Sequence, residues 1–147
     1  MNVKYEIDPT LAADEIIIRC KEINQQIMEI QRILRTNTVE AVFGIRENKI
    51  YPIKPNTIER IFIENRKSII CSKGETYESK TTLAEFEAML GTTFVRISKS
   101  VIANIKQIRS IESEFSGNFT LIFISGNKEI LSRSYVKTLK KAIGLEG

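Results

Sequence analysis

Short stretches in which apolar and polar residues alternate recur along this chain from residue 40 onward. Successive side chains of a β-strand point to opposite faces of a sheet, so a period of two predicts half-buried strands. Polar clusters and glycines separate the stretches, as is typical of turns between strands. Among them, turns are predicted at residues 47–49, 65–67 and 73–74. The predicted strands cover residues 40–45, 50–53, 58–64, 68–72, 75–79, 94–97, 107–114, 119–124 and 129–131.

Two helical stretches interrupt this β pattern. Thr82 and Glu85 have the spacing of a capping box at the start of the first helix, and Gly91 follows its end. The second helix follows Ser132 or Ser134 and carries apolar residues at spacings of three and four. Because these helices are far apart along the chain, a helix-turn-helix is not indicated. The sequence predicts an α+β, mainly β fold and not a parallel α/β sheet.

The first 38 residues differ in pattern and are predicted to form an N-terminal segment, 1–38, ahead of a domain at 39–147. Alternation and a β-branched run predict two strands, followed by a helix and a polar hinge. This strand-strand-helix segment is too short for a receiver domain. Its predicted elements lie at residues 3–7, 16–18, 21–35 and 36–38.

A narrow apolar stripe runs along the predicted N-terminal helix. Ile23, Ile27, Ile30 and Leu34 follow spacings of four, three and four, which places them on one helix face. One interpretation is that the stripe packs on the preceding hairpin. The other is a helix–helix seam between two copies of the chain, since the spacing matches the a and d positions of a coiled coil. Two heptads leave both interpretations open.

Several classes of site find little support in the composition. The 147 residues include no histidine, which removes the commonest general base and metal ligand at neutral pH. Cys20 and Cys71 are far apart and are predicted to be reduced, mostly buried thiols. Glu112 and Glu114 are best explained as solvent-facing alternate positions of a strand, and common catalytic and nucleotide-binding motifs are absent. We therefore expect no enzyme activity, no metal, no cofactor and no small-molecule substrate.

Hydropathy places the chain among cytoplasmic proteins. No apolar run approaches the roughly 18 residues that a membrane-spanning helix requires. The N-terminus has no apolar core of a secretory signal. We expect a cytoplasmic protein without a membrane partner.

The positive charge is concentrated in the C-terminal part of the chain. Residues 1–90 hold 13 Lys and Arg against 14 Asp and Glu, whereas residues 91–147 hold 9 against 4. A basic segment on a near-neutral body indicates a polyanionic partner. RNA is less favoured than DNA, because aromatic residues are not interleaved with the basic ones for base stacking.

Two motifs give the chain a family resemblance. The sequence FVRISKSVIANI from Phe94 to Ile105, followed by Ile108 and Ile111, resembles the signature of LytTR DNA-binding domains. The sequence LSR that ends at Arg133, followed by a lysine-rich helix, is similar to the second motif of that family. The likeness covers about residues 40–144.

This resemblance implies a β-sandwich-like fold that inserts loops, not a recognition helix, into successive major grooves. It also implies homodimers that bind repeated half-sites and bend the DNA. Ser98 is a departure, because many members have histidine there. The Ser-Lys form is similar to small stand-alone regulators with a short N-terminal segment in place of a receiver domain.

Three basic stretches are predicted to contact double-stranded DNA: a hairpin tip, the turn within the first motif, and the start and face of the last helix. Lysine and arginine there would neutralise phosphates, and the hydroxyls would bond phosphates or base edges. The predicted DNA-binding residues are Arg66, Lys67, Arg96, Ser98, Lys99, Ser100, Arg133, Ser134, Lys137 and Lys140.

Each of these predictions has a structural alternative. The lysine-rich helix face can be merely solvated, and Ser132 or Ser134 can be an N-cap. Arg96 points out of its predicted strand and either touches phosphate or pairs with a carboxylate. Asn104 is interpreted as structural, at a turn or strand end. The sequence predicts a sequence-specific transcription regulator; the alternative is a small β domain that binds other proteins without specific DNA binding.

Overall fold

Ten strands and three α-helices make up the regular structure of the computed structural model, which describes residues 1–35 and 39–145. The helices are α1 (Gln25–Arg35), α2 (Leu83–Leu90) and α3 (Val136–Ala142). Short 3₁₀ turns lie at Pro55–Thr57, Gly91–Thr93, Ile105–Gln107 and Arg133–Tyr135. The strands are β1 (Val42–Arg46), β2 (Lys49–Ile53), β3 (Ile58–Glu64), β4 (Lys67–Ser72), β5 (Glu75–Ser79), β6 (Phe94–Ser98), β7 (Val101–Asn104), β8 (Ile108–Ser113), β9 (Phe119–Phe123) and β10 (Lys128–Leu131).

The strands form two antiparallel sheets. Seven of them pair in the order β2-β1-β5-β4-β3-β7-β6, and the other three in the order β10-β9-β8. Helices α2 and α3 are the only α-helices between residues 39 and 145. The predicted mainly β fold with two short helices is therefore confirmed. No helix within the described residues is long and apolar enough to span a membrane.

Three hairpins of the large sheet close through two-residue turns. Both turn residues have positive φ in each case, the geometry of a type I′ turn, whose twist matches that of the flanking strands. These residues lie within the predicted turns, but Lys49 and Lys67, which were also predicted there, are the first residues of β2 and β4. The turns are Glu47-Asn48, Asn65-Arg66 and Lys73-Gly74.

Two apolar clusters hold the fold together, one on each face of the large sheet. Helix α2 covers one face and begins at Thr82 with the predicted capping box to Glu85. The small sheet and α3 contribute to the second cluster, which includes Val95, Ile97 and Val101 of the large sheet. The first cluster comprises Val42, Ile53, Ile58, Ile61, Ile70, Leu83, Phe86, Leu90, Phe94 and Ile102.

A partly buried arginine connects the two sheets. Nε of Arg60 on β3 donates to Glu129 on β10 at 2.9 Å, and the same guanidinium pairs with Glu59. It also lies over the rings of Phe62 and Phe123, 5.5 and 5.9 Å from their centroids. The two carboxylates and the two rings offset part of the cost of removing this charge from water. The contact fixes the small sheet relative to β3.

The two strands predicted near the N-terminus are wrong. Residues 1–24 contain no strand or helix, and Val3, Tyr5 and Ile7 are 76%, 89% and 93% exposed. Alternation favours a strand only when a neighbouring strand satisfies its backbone, and none of the described strands pairs with this segment.

Helix α1 is shorter than its predicted range, 21–35. It begins at Gln25, because the Asn24 side chain accepts a hydrogen bond from the Ile27 amide at 3.0 Å and caps the helix. The helix lies beside the 3₁₀ turn at Gly91–Thr93. The predicted hinge at 36–38 lies outside the described residues.

The two cysteines differ in environment, and we expect them to differ in reactivity. Cys71 on β4 is buried as predicted, and burial raises the pKa of its thiol to about 11. The prediction of burial is wrong for Cys20, which is exposed. Because only the thiolate reacts, iodoacetamide at pH 8 should modify Cys20 and leave Cys71 intact. Mass spectrometry of the native and guanidinium-unfolded protein measures this. Equal labelling of both thiols in the native state would contradict the burial of Cys71.

Candidate nucleic-acid interface

The turn between β6 and β7, residues 98–100, presents Lys99 to solvent. The Ser100 amide donates to the Ser98 hydroxyl at 3.3 Å, which closes the turn. The Ser100 carbonyl accepts a hydrogen bond from the Ile63 amide of β3 at 3.0 Å. Lys99 and Ser100 are exposed and Ser98 is half-buried. The turn therefore combines a long cation and two hydroxyls at the surface on a backbone that is tied to β3.

Arg96, two residues before this turn, points back into the protein. Its Nη1 donates to the Lys99 carbonyl at 2.9 Å, and its Nη2 pairs with the Glu87 carboxylate of α2. The side chain is 20% exposed, and Nε is buried without a hydrogen-bond acceptor among the described residues. The sequence left open whether Arg96 touches phosphate or pairs with a carboxylate, and in the structure it pairs with a carboxylate.

A concave surface, here called the basic cleft, lies beside the β6–β7 turn. It has a volume of about 210 Å³. The turn residue Arg66 lies on one side of it, and Lys99 lines it together with Arg96. Four cations and four hydroxyls line the cleft, and none of its lining residues is acidic. They are Ile63, Arg66, Ser68, Ser79, Lys80, Thr81, Thr82, Leu83, Arg96 and Lys99.

Lys80 is the cation of the basic cleft that no sequence pattern indicated. It lies in the polar segment between β5 and α2, two residues before the capping residue Thr82. No periodicity marks it, because it belongs to neither element. Its place directly before a helix start, among three hydroxyl residues, was the available signal.

A larger cavity of about 390 Å³ lies at the opposite end of β3 and β4. Its lining includes Arg60 and Lys73, but also the carboxylates of Glu59 and Glu75. Glu59 already pairs with Arg60, so the lining has mixed charge. Of these two cavities, the basic cleft is the one lined by cations without a carboxylate, which favours a polyanion.

Lys67 has a partner within the chain. It is the first residue of β4, and its Nζ lies 3.0 Å from the Glu78 carboxylate. Both side chains are more than half exposed, so the pair is weak and a phosphate can compete for the lysine. Lys67 does not line the basic cleft.

Arg133 lies where three elements meet. Its Nη2 donates to the Ser116 carbonyl of the β8–β9 turn at 2.8 Å. The preceding residue, Ser132, donates its amide to the Ile97 carbonyl of β6 at 3.0 Å. Arg133 therefore lies close to the end of β6, from which the Lys99 turn begins. A Cβ on Gly117 would lie 3.0 Å from Nη2 of Arg133, and Gly117 also has a φ of +82°.

The last helix begins differently from the prediction. Arg133–Tyr135 forms a 3₁₀ turn, and α3 starts at Val136. The N-cap position of α3 is Tyr135, and Ser132 makes no side-chain cap, so the interpretation of Ser132 or Ser134 as the N-cap of this helix is wrong. Ser134 is exposed within the 3₁₀ turn.

Helix α3 is amphipathic. Its buried residue Leu139 joins the second core cluster, while Lys137, Lys140 and Lys141 are exposed. The lysines do not line the basic cleft. The structure therefore brings Arg66, Arg96 and Lys99 together and leaves the lysines of α3 on a separate exposed face.

Asn104 belongs to the signature motif but not to the surface. Its side chain is buried, donates to the Ile58 carbonyl at 2.8 Å and accepts from the Lys106 amide at 3.0 Å. It joins the end of β7 to the start of β3 and to the following 3₁₀ turn. Its interpretation as a structural residue is confirmed.

The sequence and fold of this chain are similar to those of known proteins. The family model of the LytTr DNA-binding domain matches residues 48–144. The chain is 33% identical over 100 residues to the sensory transduction protein LytT of Enterococcus faecalis. It is 29% identical over 145 residues to the sensory transduction protein LytR of Staphylococcus haemolyticus.

The alignments cover much of this chain but only part of its relatives. They include 67% and 97% of the chain, and 41% and 55% of those two proteins. A LytTr DNA-binding domain of a putative methyl-accepting/DNA response regulator from Bacillus cereus has the same fold. The TM-score is 0.68 at 23% identity, over 72% of this chain and 98% of that one. The chain belongs to the LytTR family of DNA-binding domains.

Proposed function

We propose that this protein is a transcription regulator that binds double-stranded DNA sequence-specifically and works in the cytoplasm, where bacterial promoters lie. The observation that carries the proposal is the basic cleft, whose ten lining residues include four cations and no carboxylate. Arg133 lies near the end of β6 from which the Lys99 turn begins. DNA carries one negative charge per about 1.7 Å of axis, so such a surface supplies affinity through counterion release.

The contacts divide by position. Arg66, Lys80 and Lys99 surround the basic cleft and suit backbone phosphates, which position the protein without reading sequence. Arg133 and the exposed turn hydroxyls suit base edges, since arginine bonds guanine in a bidentate manner. The turns on β6 and before α3 would enter successive major grooves of repeated half-sites. Lys67, Lys137 and Lys140 would add phosphate contacts at the rim.

Footprinting on the DNA upstream of the protein's own gene tests this function. We expect protection of two short repeats about one helical turn apart, because each copy of the domain reads one half-site. Random-sequence duplex of the same length is the control. Equal, weak binding to both DNAs would instead favour a protein-interaction module without specific DNA binding.

A homodimer through α1 is the second part of the proposal. Ile27 and Ile30 are half-buried, and Leu34 is 42% exposed, so the predicted stripe is only partly covered within one copy. Ile23 precedes the helix and is 76% exposed. A second copy would cover the rest of the stripe and place two domains on two half-sites.

Charges introduced into this stripe should separate the dimer. We expect Ile27→Asp with Ile30→Asp to yield a monomer with weaker binding to the repeated site, because a carboxylate cannot be buried unpaired in an apolar seam. Sedimentation at micromolar concentration measures the mass. Leu34→Asp, at the exposed member, tests the seam if the double variant unfolds, and Gln25→Asp is the control on the opposite face. An unchanged mass, or a monomeric wild type, would exclude α1 as the interface.

A further inference from the structure

We propose that Arg96 is a positioning residue: it holds the β6–β7 turn by its Lys99 carbonyl and anchors that turn to α2 through Glu87, without itself contacting DNA. The consequence for DNA binding rests on the function proposed above. The role of Arg96 in holding the turn does not depend on that function.

The terminal nitrogens of Arg96 are already engaged within the protein. Nη1 lies 2.9 Å from the Lys99 carbonyl oxygen, and Nη2 pairs with the Glu87 carboxylate. The side chain is four-fifths buried, at 20% exposure, whereas Glu87 is 42% exposed. A guanidinium with both ends bonded inside the protein forms a rigid bridge between two backbone segments.

The bridge holds the side of the β6–β7 turn that faces α2. On the β3 side, the Ile63 amide holds the Ser100 carbonyl. On the α2 side, Arg96 is the side chain that holds the Lys99 carbonyl. Lysine is a point charge on a flexible stem, so its reach is set by the position of its own backbone. Arg96 thereby fixes where Lys99 enters the basic cleft.

The buried Nε of Arg96 lowers the net contribution of this side chain to the stability of the fold. This nitrogen is buried without an acceptor among the described residues, and a buried donor without an acceptor destabilises the folded state. Arg96 therefore combines two favourable bonds with one unfavourable burial. Replacing it should loosen the turn more than it lowers the melting temperature.

The free protein provides the first test. In Arg96→Gln, NMR order parameters of the Lys99 and Ser100 amides should fall from about 0.85 toward about 0.6, the range of a flexible loop. The melting temperature should stay nearly unchanged. Unchanged order parameters, or a large loss of melting temperature with a rigid turn, would overturn the proposal. This test needs no DNA, so it stands if the proposed function fails.

The sign of a charge change provides the second test, on the footprinted fragment. Glu87→Ala removes a negative charge near the interface, which by electrostatics alone should strengthen DNA binding. If Glu87 anchors Arg96, the same variant should weaken binding several-fold. Glu64→Ala, at the end of β3 beside the Asn65-Arg66 turn, is the charge-matched control and should bind slightly tighter. Tighter binding by both variants would overturn the anchoring role.

Arg96→Gln should weaken binding to the fragment about tenfold, the equivalent of one charge-assisted hydrogen bond. Combined with Lys99→Ala, it should add little, because both changes remove the same contact. Full additivity of the two changes, with a further drop of about one unit in the salt slope, would show that Arg96 meets a phosphate directly.

Discussion

Replacing Arg133 by alanine should cost roughly 1–3 kcal/mol of binding free energy on the protected DNA, the usual worth of a bidentate contact to a base. Binding to random duplex should change much less. Arg133 is exposed, and the hydrogen bond from its side chain to the Ser116 carbonyl can be exchanged for a base without opening the fold. Titration of both DNAs at two salt concentrations measures the difference.

Lys99→Ala is the companion to this test and should behave differently. Lys99 lines the basic cleft, so its loss should weaken binding to both DNAs and reduce the salt slope by about one unit. Melting temperatures of both variants should stay nearly unchanged, since exposed cations contribute little to stability. Lys73→Ala, on a turn at the opposite end of β4, is the matched control. Wild-type affinity in both Lys99→Ala and Arg133→Ala would exclude these turns from the interface.

Replacing Asn104 by alanine should lower the free energy of unfolding by about 3 kcal/mol, because a buried carbonyl and a partly buried amide lose their partners. The amide of its side chain is the donor to Ile58, and its oxygen is the acceptor for Lys106. Water cannot replace these bonds, since Asn104 is only 2% exposed. Urea unfolding measures the loss.

The control and the alternative for Asn104 are equally direct. Asn56→Ala, at an exposed asparagine, should change stability by less than about 0.5 kcal/mol. The folded fraction of Asn104→Ala should still prefer the protected DNA over random duplex. Retained stability with a loss of that preference would instead make Asn104 a base-reading residue.

Features that depend on neighbours along the chain could be predicted from the sequence. The capping box of Thr82 and Glu85 and the turns at Asn65-Arg66 and Lys73-Gly74 occur where the sequence indicates them. Their geometry is set by hydrogen bonds and φ preferences over at most four residues. The nine predicted strands of the domain also formed, because each found a partner in a sheet. The sequence did not indicate β7, because its four residues are all buried and show no alternation.

The N-terminal segment shows where the same reasoning stops. Val3, Tyr5 and Ile7 alternate as well as many strands of the domain do, yet they remain exposed and unpaired. Alternation reports only which face a strand would bury. It does not supply the second strand on which the hydrogen bonds depend.

The sequence by itself determined the mainly β fold, the family and the basic stretches, since these follow from local patterns and motifs. Only the tertiary structure decided which basic residues share one surface. It brought Lys80 beside Lys99 and turned Arg96 inward to Glu87. The bond between Arg60 and Glu129 joins residues 69 positions apart, a separation at which no sequence pattern specifies a partner. Long-range packing alone fixes such pairs, because it sets which side chains are close enough to interact.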